Sequence, residues 1–241
     1  MAILPDVIRL GPVVLPNAWI AWLISFLFVS VLLKRSLQRL GFDGDKQTGW
    51  LLEAVLFGYV LYRLVTIGAD GAGAWTSFRT LLLSVGPGYA LVLGTLGGIV
   101  YLIGRAGRDG VVTWRWLEAW VLPVTLTAVL HALLVAEIGR ATNMPWGVSF
   151  DGASYHPVHL YRAVAWAFAA WWLYRLRTSP RQRVAAAVTL WAGAQLIASW
   201  FLVQQDLWFG IAPSQWLALI AISAGGYAWT VDEHTTPVEK M

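Results

Sequence analysis

The amino-acid sequence predicts an all-α integral membrane protein with about seven transmembrane helices, its N-terminus outside and its C-terminus cytoplasmic. Three observations carry this reading. First, the chain has 241 residues, of which 58% are hydrophobic and 12% charged. A soluble domain carries about 25% charged residues, so the surface that charge would solvate must face lipid. Second, apolar runs recur at the length, about 20 residues, that crosses a bilayer as helix. Third, Lys and Arg fall almost wholly in alternate connections, which is the asymmetry that orients membrane helices.

The expected spans are residues 18–33, 50–68, 81–103, 116–138, 157–174, 184–204 and 211–231. The first stops at the basic pair Lys34-Arg35, and the second opens on Trp50 and contains Arg63. Gly86-Pro87-Gly88 interrupt the third and predict two half-helices there. Gly94 and Gly98, with Gly97 beside them, are small residues at the spacing that lets helix backbones approach. The fourth carries His131, and the fifth opens at His156-Pro157, with proline well placed in a first helical turn. Trp19, Trp50, Trp75, Trp116 and Trp208 fall near span ends, as interfacial anchors do.

Orientation follows from the cations. With the N-terminus outside, Lys34, Arg35, Arg39, Lys46, Arg105, Arg108 and Arg115 are cytoplasmic, as are Arg175, Arg177, Arg181, Arg183 and Lys240. Only Arg9, Arg79 and Arg140 fall in outer segments. Residues 1–231 read as one transmembrane domain and 232–241 as a polar cytoplasmic tail. The net charge of +4 suits a bacterial plasma (inner) membrane protein with basic cytoplasmic loops. It does not point to nucleic acid, since no aromatic and basic face lies outside the apolar runs. Cys is absent, which excludes a disulfide framework, a thiolate metal site and a cysteine nucleophile. Asp6 and Arg9, with no cleavage site after the first run, argue against a signal peptide. No metal-ligand spacing, Ser-His-Asp order or GxSxG occurs, and no cofactor is expected.

Chemistry is sought first in residues 139–162, GRATNMPWGVSFDGASYHPVHLYR. This polar stretch lies between two apolar blocks, and its prolines and glycines forbid a continuous helix. It is expected as an irregular loop on the outer face. Its bland reading is a solvated connection; its functional one is a site drawn from Arg140, Asn143, Asp151, His156, His159, Tyr161 and Arg162. Glu137 and Arg140, three apart, would pair locally if both stay on one helix. Histidine exchanges a proton near neutrality or simply orients a loop. Arg63 within a span is costly; it either snorkels to the interface or holds a lipid phosphate in a bidentate fork. His131 reads as a packing residue with a hydrogen bond.

Several segments together resemble the bacterial prolipoprotein diacylglyceryl transferase family. They are IRLGPVVL near the start, LYRLV around Arg63, and the glycine-rich PGYALVLGTLGGIVYLIGR with Tyr89. GRATNMPWGVSF is similar to the family's outer-loop run, HPVHLYR to its His-Pro-x-x-Leu-Tyr-Glu element, and GIAPSQWLALI to its Ser-x-Gln helix start. The resemblance implies transfer of the diacylglyceryl group of phosphatidylglycerol to a lipobox cysteine thiol, with glycerol phosphate leaving. It implies Arg140 and His156 as catalytic residues, and Arg63, Tyr89, Asn143, Tyr161 and Gln215 as substrate-binding residues. Its partners would be phosphatidylglycerol, a prolipoprotein lipobox peptide and the membrane.

The chain departs from the pattern in places. In the 139–162 stretch it has one Gly-Arg, Gly139-Arg140, where the family pattern has two. GRATN aligns either with the first, keeping Arg140 and Asn143, or with the second, which sets the first Arg near Ala128 and the Asn near His131. Gln195 and Leu196 stand where the sixth span of the family has Arg, Ala18 where its first span has Tyr, and Arg162 where its His-Pro element ends in Glu. These departures leave a second expectation open: a catalytically silent paralogue that binds phospholipid or a membrane partner. A small-solute transporter would want more polar residues at mid-membrane than are present.

Overall fold

The computed structural model describes residues 7–10, 13–70, 86–203, 207 and 209–231, with the backbone alone at 7–16 and 70. Seven helices run in order among them: α1 (Asn17–Arg39), α2 (Gly44–Asp70), α3 (Gly88–Arg108), α4 (Trp114–Leu134), α5 (Val158–Arg175), α6 (Pro180–Ser199) and α7 (Pro213–Thr230). Four of these, α1 to α4, are long and apolar enough to cross a membrane. The other three are 18, 20 and 18 residues long.

The helical bulk is as expected, and short strands add to it: β1 (Val7–Leu10) and β2 (Val13–Pro16) pair before α1. Within 139–156 the irregular loop is replaced by part of a three-stranded antiparallel sheet. Its strands are β3 (Ile138–Ala141), β4 (Val148–Phe150) and β5 (Ala153–Pro157), in the order β3-β5-β4. Pairing satisfies the backbone groups that an irregular segment leaves to water. α4 correspondingly stops at Leu134, short of the expected 138, because Ile138 already belongs to β3. The expected break at 86–88 is where α3 starts. Pro87 sits just before it with an extended backbone, φ −61° and ψ 151°, as the missing proline N–H allows. Residues 81–85, the first part of the expected third span, lie outside the described residues, as does the tail.

The chain forms two compact units, residues 33–116 and residues 1–32 with 117–241. In the first, α2 and α3 lie backbone against backbone. A Cβ on Gly58 would stand 2.6 Å from the Gly94 carbonyl, one on Gly94 2.7 Å from that of Gly58, and one on Gly98 2.8 Å from that of Ala54. Only glycine permits that approach. Beside this seam Lys46 and Arg105 pair with Asp109, and Trp116 Nε1 donates to Gln47 Oε1 at 2.8 Å. In the second unit α6 and α7 pack in the same way: a Cβ on Gly225 would lie 2.9 Å from the Ala185 carbonyl. Val121, Leu173 and Ala187 form a buried cluster there. Ser179 and Gln182 close a capping box on α6, and Arg183 pairs with Glu118.

Candidate functional site

The site grows from a two-residue turn. Asp151 and Gly152 take φ values of 49° and 78°, and Phe150 pairs with Ala153 across them. Aspartate then glycine is the favoured chemistry of such a hairpin, because both positions need positive φ. This local signal predicts the hairpin that the reading of 139–156 as a loop missed. β5 also pairs with β3, Ile138 opposite Pro157 and Ala141 opposite Tyr155. The sheet thereby brings Gly139-Arg140 and His156 to one place, though sixteen positions separate them.

Gly139 is where the sheet meets the chain that follows α6. A Cβ there would stand 2.3 Å from the Phe201 carbonyl oxygen and 2.6 Å from Val158 Cγ2. The Arg140 N–H donates to that same carbonyl at 2.7 Å, and Arg140 Nε donates to the Leu202 carbonyl at 2.8 Å. The Arg140 side chain is otherwise exposed, and its terminal nitrogens take no partner among the described residues.

His156 and Tyr161 share the other side of Phe201. Both rings lie 4.9 Å from the Phe201 ring. His156 Nδ1 is 3.0 Å from the Tyr161 hydroxyl, and Trp146 Nε1 donates to that hydroxyl at 2.8 Å. Because α5 starts at Val158, Tyr161 rises one turn above His156 and reaches back to it. Trp146 and Phe201 are members of this cluster that reading the sequence did not single out.

Below the cluster a groove of about 840 Å³ runs between α5 and α6. Val164 and Phe168 wall it on one side, Leu190, Gly193 and Ile197 on the other. Trp146, His156 and Tyr161 stand at its polar end.

The expected Glu137–Arg140 pair does not form. Arg162 takes the Glu137 carboxylate instead. The helix has ended by Leu134 and Arg140 lies on β3, so the spacing of three no longer stacks the two side chains. His159 is buried, and its Nδ1 meets the Glu137 backbone, 3.1 Å from the carbonyl oxygen.

The remaining expected residues sit elsewhere. Asn143 is exposed and lines a polar hollow with Thr142 and Ser154 beside the sheet. Gln215 is buried: its Oε1 accepts the Ala212 N–H at 2.9 Å and its Nε2 donates to Ser199 Oγ at 3.0 Å. It thus ties the start of α7 to the end of α6. Arg63 and Tyr89 belong to the unit of residues 33–116. Arg63 is buried, its guanidinium carbon 5.6 Å from the Tyr62 ring centre, while the Tyr62 hydroxyl accepts the Gly86 N–H at 2.7 Å. Tyr89 is exposed near the start of α3. His131, on α4, faces Ser25 Oγ at 3.2 Å and the Trp22 ring at 4.5 Å.

No family model matches the chain. Among curated proteins it is similar to phosphatidylglycerol–prolipoprotein diacylglyceryl transferases. That of Nitratidesulfovibrio vulgaris (strain DP4) is 25% identical over 232 residues, 89% of this chain and 87% of the relative. That of Cupriavidus necator is 31% identical over 159 residues, 57% of each. That of Chlamydia muridarum is 30% identical over 115 residues, 42% of each, so there the match spans less than half of the relative's length. The chain is a distant homologue of these transferases. The similarity and the four apolar helices together support a multi-pass membrane protein.

Proposed function

We propose that this chain handles phosphatidylglycerol in a bacterial inner membrane and moves its diacylglyceryl group to a lipobox cysteine thiol. The observation that carries the reading is the gathering of Arg140, His156 and Tyr161 around Phe201. In the proposed reaction the thiol sulfur forms a bond to the glycerol carbon bearing the phosphodiester. That carbon's bond to the phosphate oxygen breaks, its electron pair leaves with glycerol phosphate, and the thiol proton must be removed. The terminal nitrogens of Arg140, which take no partner among the described residues, suit a bidentate hold on the phosphate, where negative charge builds as the bond breaks. His156 would take the thiol proton and pass it to the departing phosphate. Tyr161, held by Trp146, would fix the imidazole. Arg63, Tyr89, Asn143 and Gln215 complete the proposed substrate-binding set, Gln215 by ordering the end of the α6–α7 connection. Seven spans with the N-terminus outside would place the sheet at the outer leaflet.

The second reading is a silent paralogue that binds lipid. It is favoured by α6, which offers Gln195 and Leu196 and no cation between Arg183 and its end. A transfer assay separates the two. Purified protein is given labelled phosphatidylglycerol and a lipobox peptide. The transferase reading expects labelled peptide, reduced about ten- to a hundredfold by Arg140→Ala, the size of one lost charge-assisted contact. Bound lipid without labelled peptide would leave the silent paralogue.

A further inference from the structure

We propose that the α5–α6 groove seats one acyl chain of a phospholipid, and that Gly193 sets how much of that chain it accepts. This rests on the reading that the chain handles phospholipid at the Arg140 and His156 end.

Three observations converge on that occupant. The groove, about 840 Å³, falls in the range of ligand pockets, about 300–1,000 Å³. Its polarity is arranged for an amphiphile. The polar side chains stand at one end, and beyond them the walls are apolar except for Thr189, whose hydroxyl is already satisfied by the Ala185 carbonyl at 3.1 Å. From Tyr161 to Phe168 the α5 wall extends about 10 Å at the helical rise per residue. A cation is close to the polar end in the chain's path. Phe201 lines the groove, its carbonyl holds the Arg140 N–H, and the next carbonyl, that of Leu202, holds Arg140 Nε.

Gly193 supplies a further observation, on how much chain the groove accepts. Glycine weakens a helix relative to alanine and is usually kept where another backbone approaches. Gly94 and Gly225 have that reason, for a Cβ on either would collide with a facing helix. A Cβ on Gly193 would meet nothing within 4 Å, and the open space over it is the groove itself. Ile197 lies one turn toward the mouth and Thr189 one turn away from it. A side chain at 193 therefore starts in open space and projects into the groove midway along it.

The test uses the full-length protein in detergent with two probes. Phosphatidylglycerol carrying a diazirine at the end of one acyl chain is photolysed and the adducts are mapped. The relative affinities of dipalmitoyl and dioctanoyl phosphatidylglycerol are then measured by competition for wild type, Gly193→Ala and Gly193→Leu. The expected result is labelling on the facing residues of α5 and α6, among them Phe168 and Leu190. Gly193→Leu should weaken the dipalmitoyl lipid about tenfold, as for two displaced methylenes, and leave the dioctanoyl lipid within about twofold. Gly193→Ala should stay near wild type. Adducts on other helices, or unchanged chain-length discrimination in Gly193→Leu with lipid still bound, overturns the groove assignment and leaves the phospholipid reading standing. Wild type that binds neither lipid overturns the phospholipid reading and the groove assignment with it.

Discussion

At the scale of the residue, Gly139 and Arg140 act as a pair. The arginine reaches its place because the residue before it has no side chain, and the strand can press on the Phe201 carbonyl. Gly139→Ala brings a Cβ to 2.3 Å from a backbone oxygen, which no rotamer change relieves. Overpacking of this kind costs about 1–3 kcal/mol. The expected outcome is a lower thermal unfolding midpoint, together with loss of whatever activity Arg140 supports. An unchanged midpoint would mean that the strand and the turn after α6 are not pressed together. Arg140 was legible as a candidate because it stands in the one polar stretch between apolar blocks and matches the resemblance's Gly-Arg. Its contacts with Phe201 and Leu202, about sixty positions away, were not, since no periodicity links those segments.

At the scale of the element, the sheet decides which candidates meet. β5 carries His156 and continues into α5, which carries Tyr161, His159 and Arg162; β3 carries Arg140. The Glu137–Arg162 pair closes the end where β3 and α5 start. Both side chains are about a quarter to a third exposed, so solvent screens the pair and its contribution is about 1 kcal/mol or less. Arg162→Ala should lower stability by about that amount, read from chemical denaturation. The exchanged pair, Glu137→Arg with Arg162→Glu, should recover most of it. An exchange no better than the single change would show that the two charges do not act on each other. The family pattern has Glu where this chain has Arg162, and the partner across the sheet gives that departure a local physical setting. Helix–helix contact was more legible than the sheet. Gly94 and Gly98 stood out at the right spacing, and α2 meets them with Gly58 and Ala54.

At the scale of the whole molecule, ion pairs among the described residues gather toward the ends of helices. Among them, Asp109 follows α3 and faces Lys46 and Arg105. Its carboxyl is held below the ordinary carboxylate value, first by the hydrogen bond with Lys46 and then by the nearby positive charge. A depressed carboxylate stabilises the fold at pH values above its ordinary range. That contribution fades as pH falls through the unfolded and then the folded value. Asp109→Asn should therefore lower the unfolding midpoint near neutral pH, and the gap from wild type should narrow as the solution is acidified. A gap independent of pH would assign the effect to packing rather than charge.

The sequence by itself determined the membrane character, the helical bulk of the chain and the stretch in which to look for chemistry. Those properties are local: composition, apolar run length and charge placement act over a span or a loop. Tertiary structure decided the rest. It turned most of the loop into a sheet, moved Glu137 from Arg140 to Arg162, engaged Gln215 in a helix start, and set His156, Tyr161 and Arg140 around one phenylalanine. The physical reason is that strand pairing and backbone close approach join residues far apart in the chain. Their free energy depends on which partner arrives, and neither partner carries that information alone.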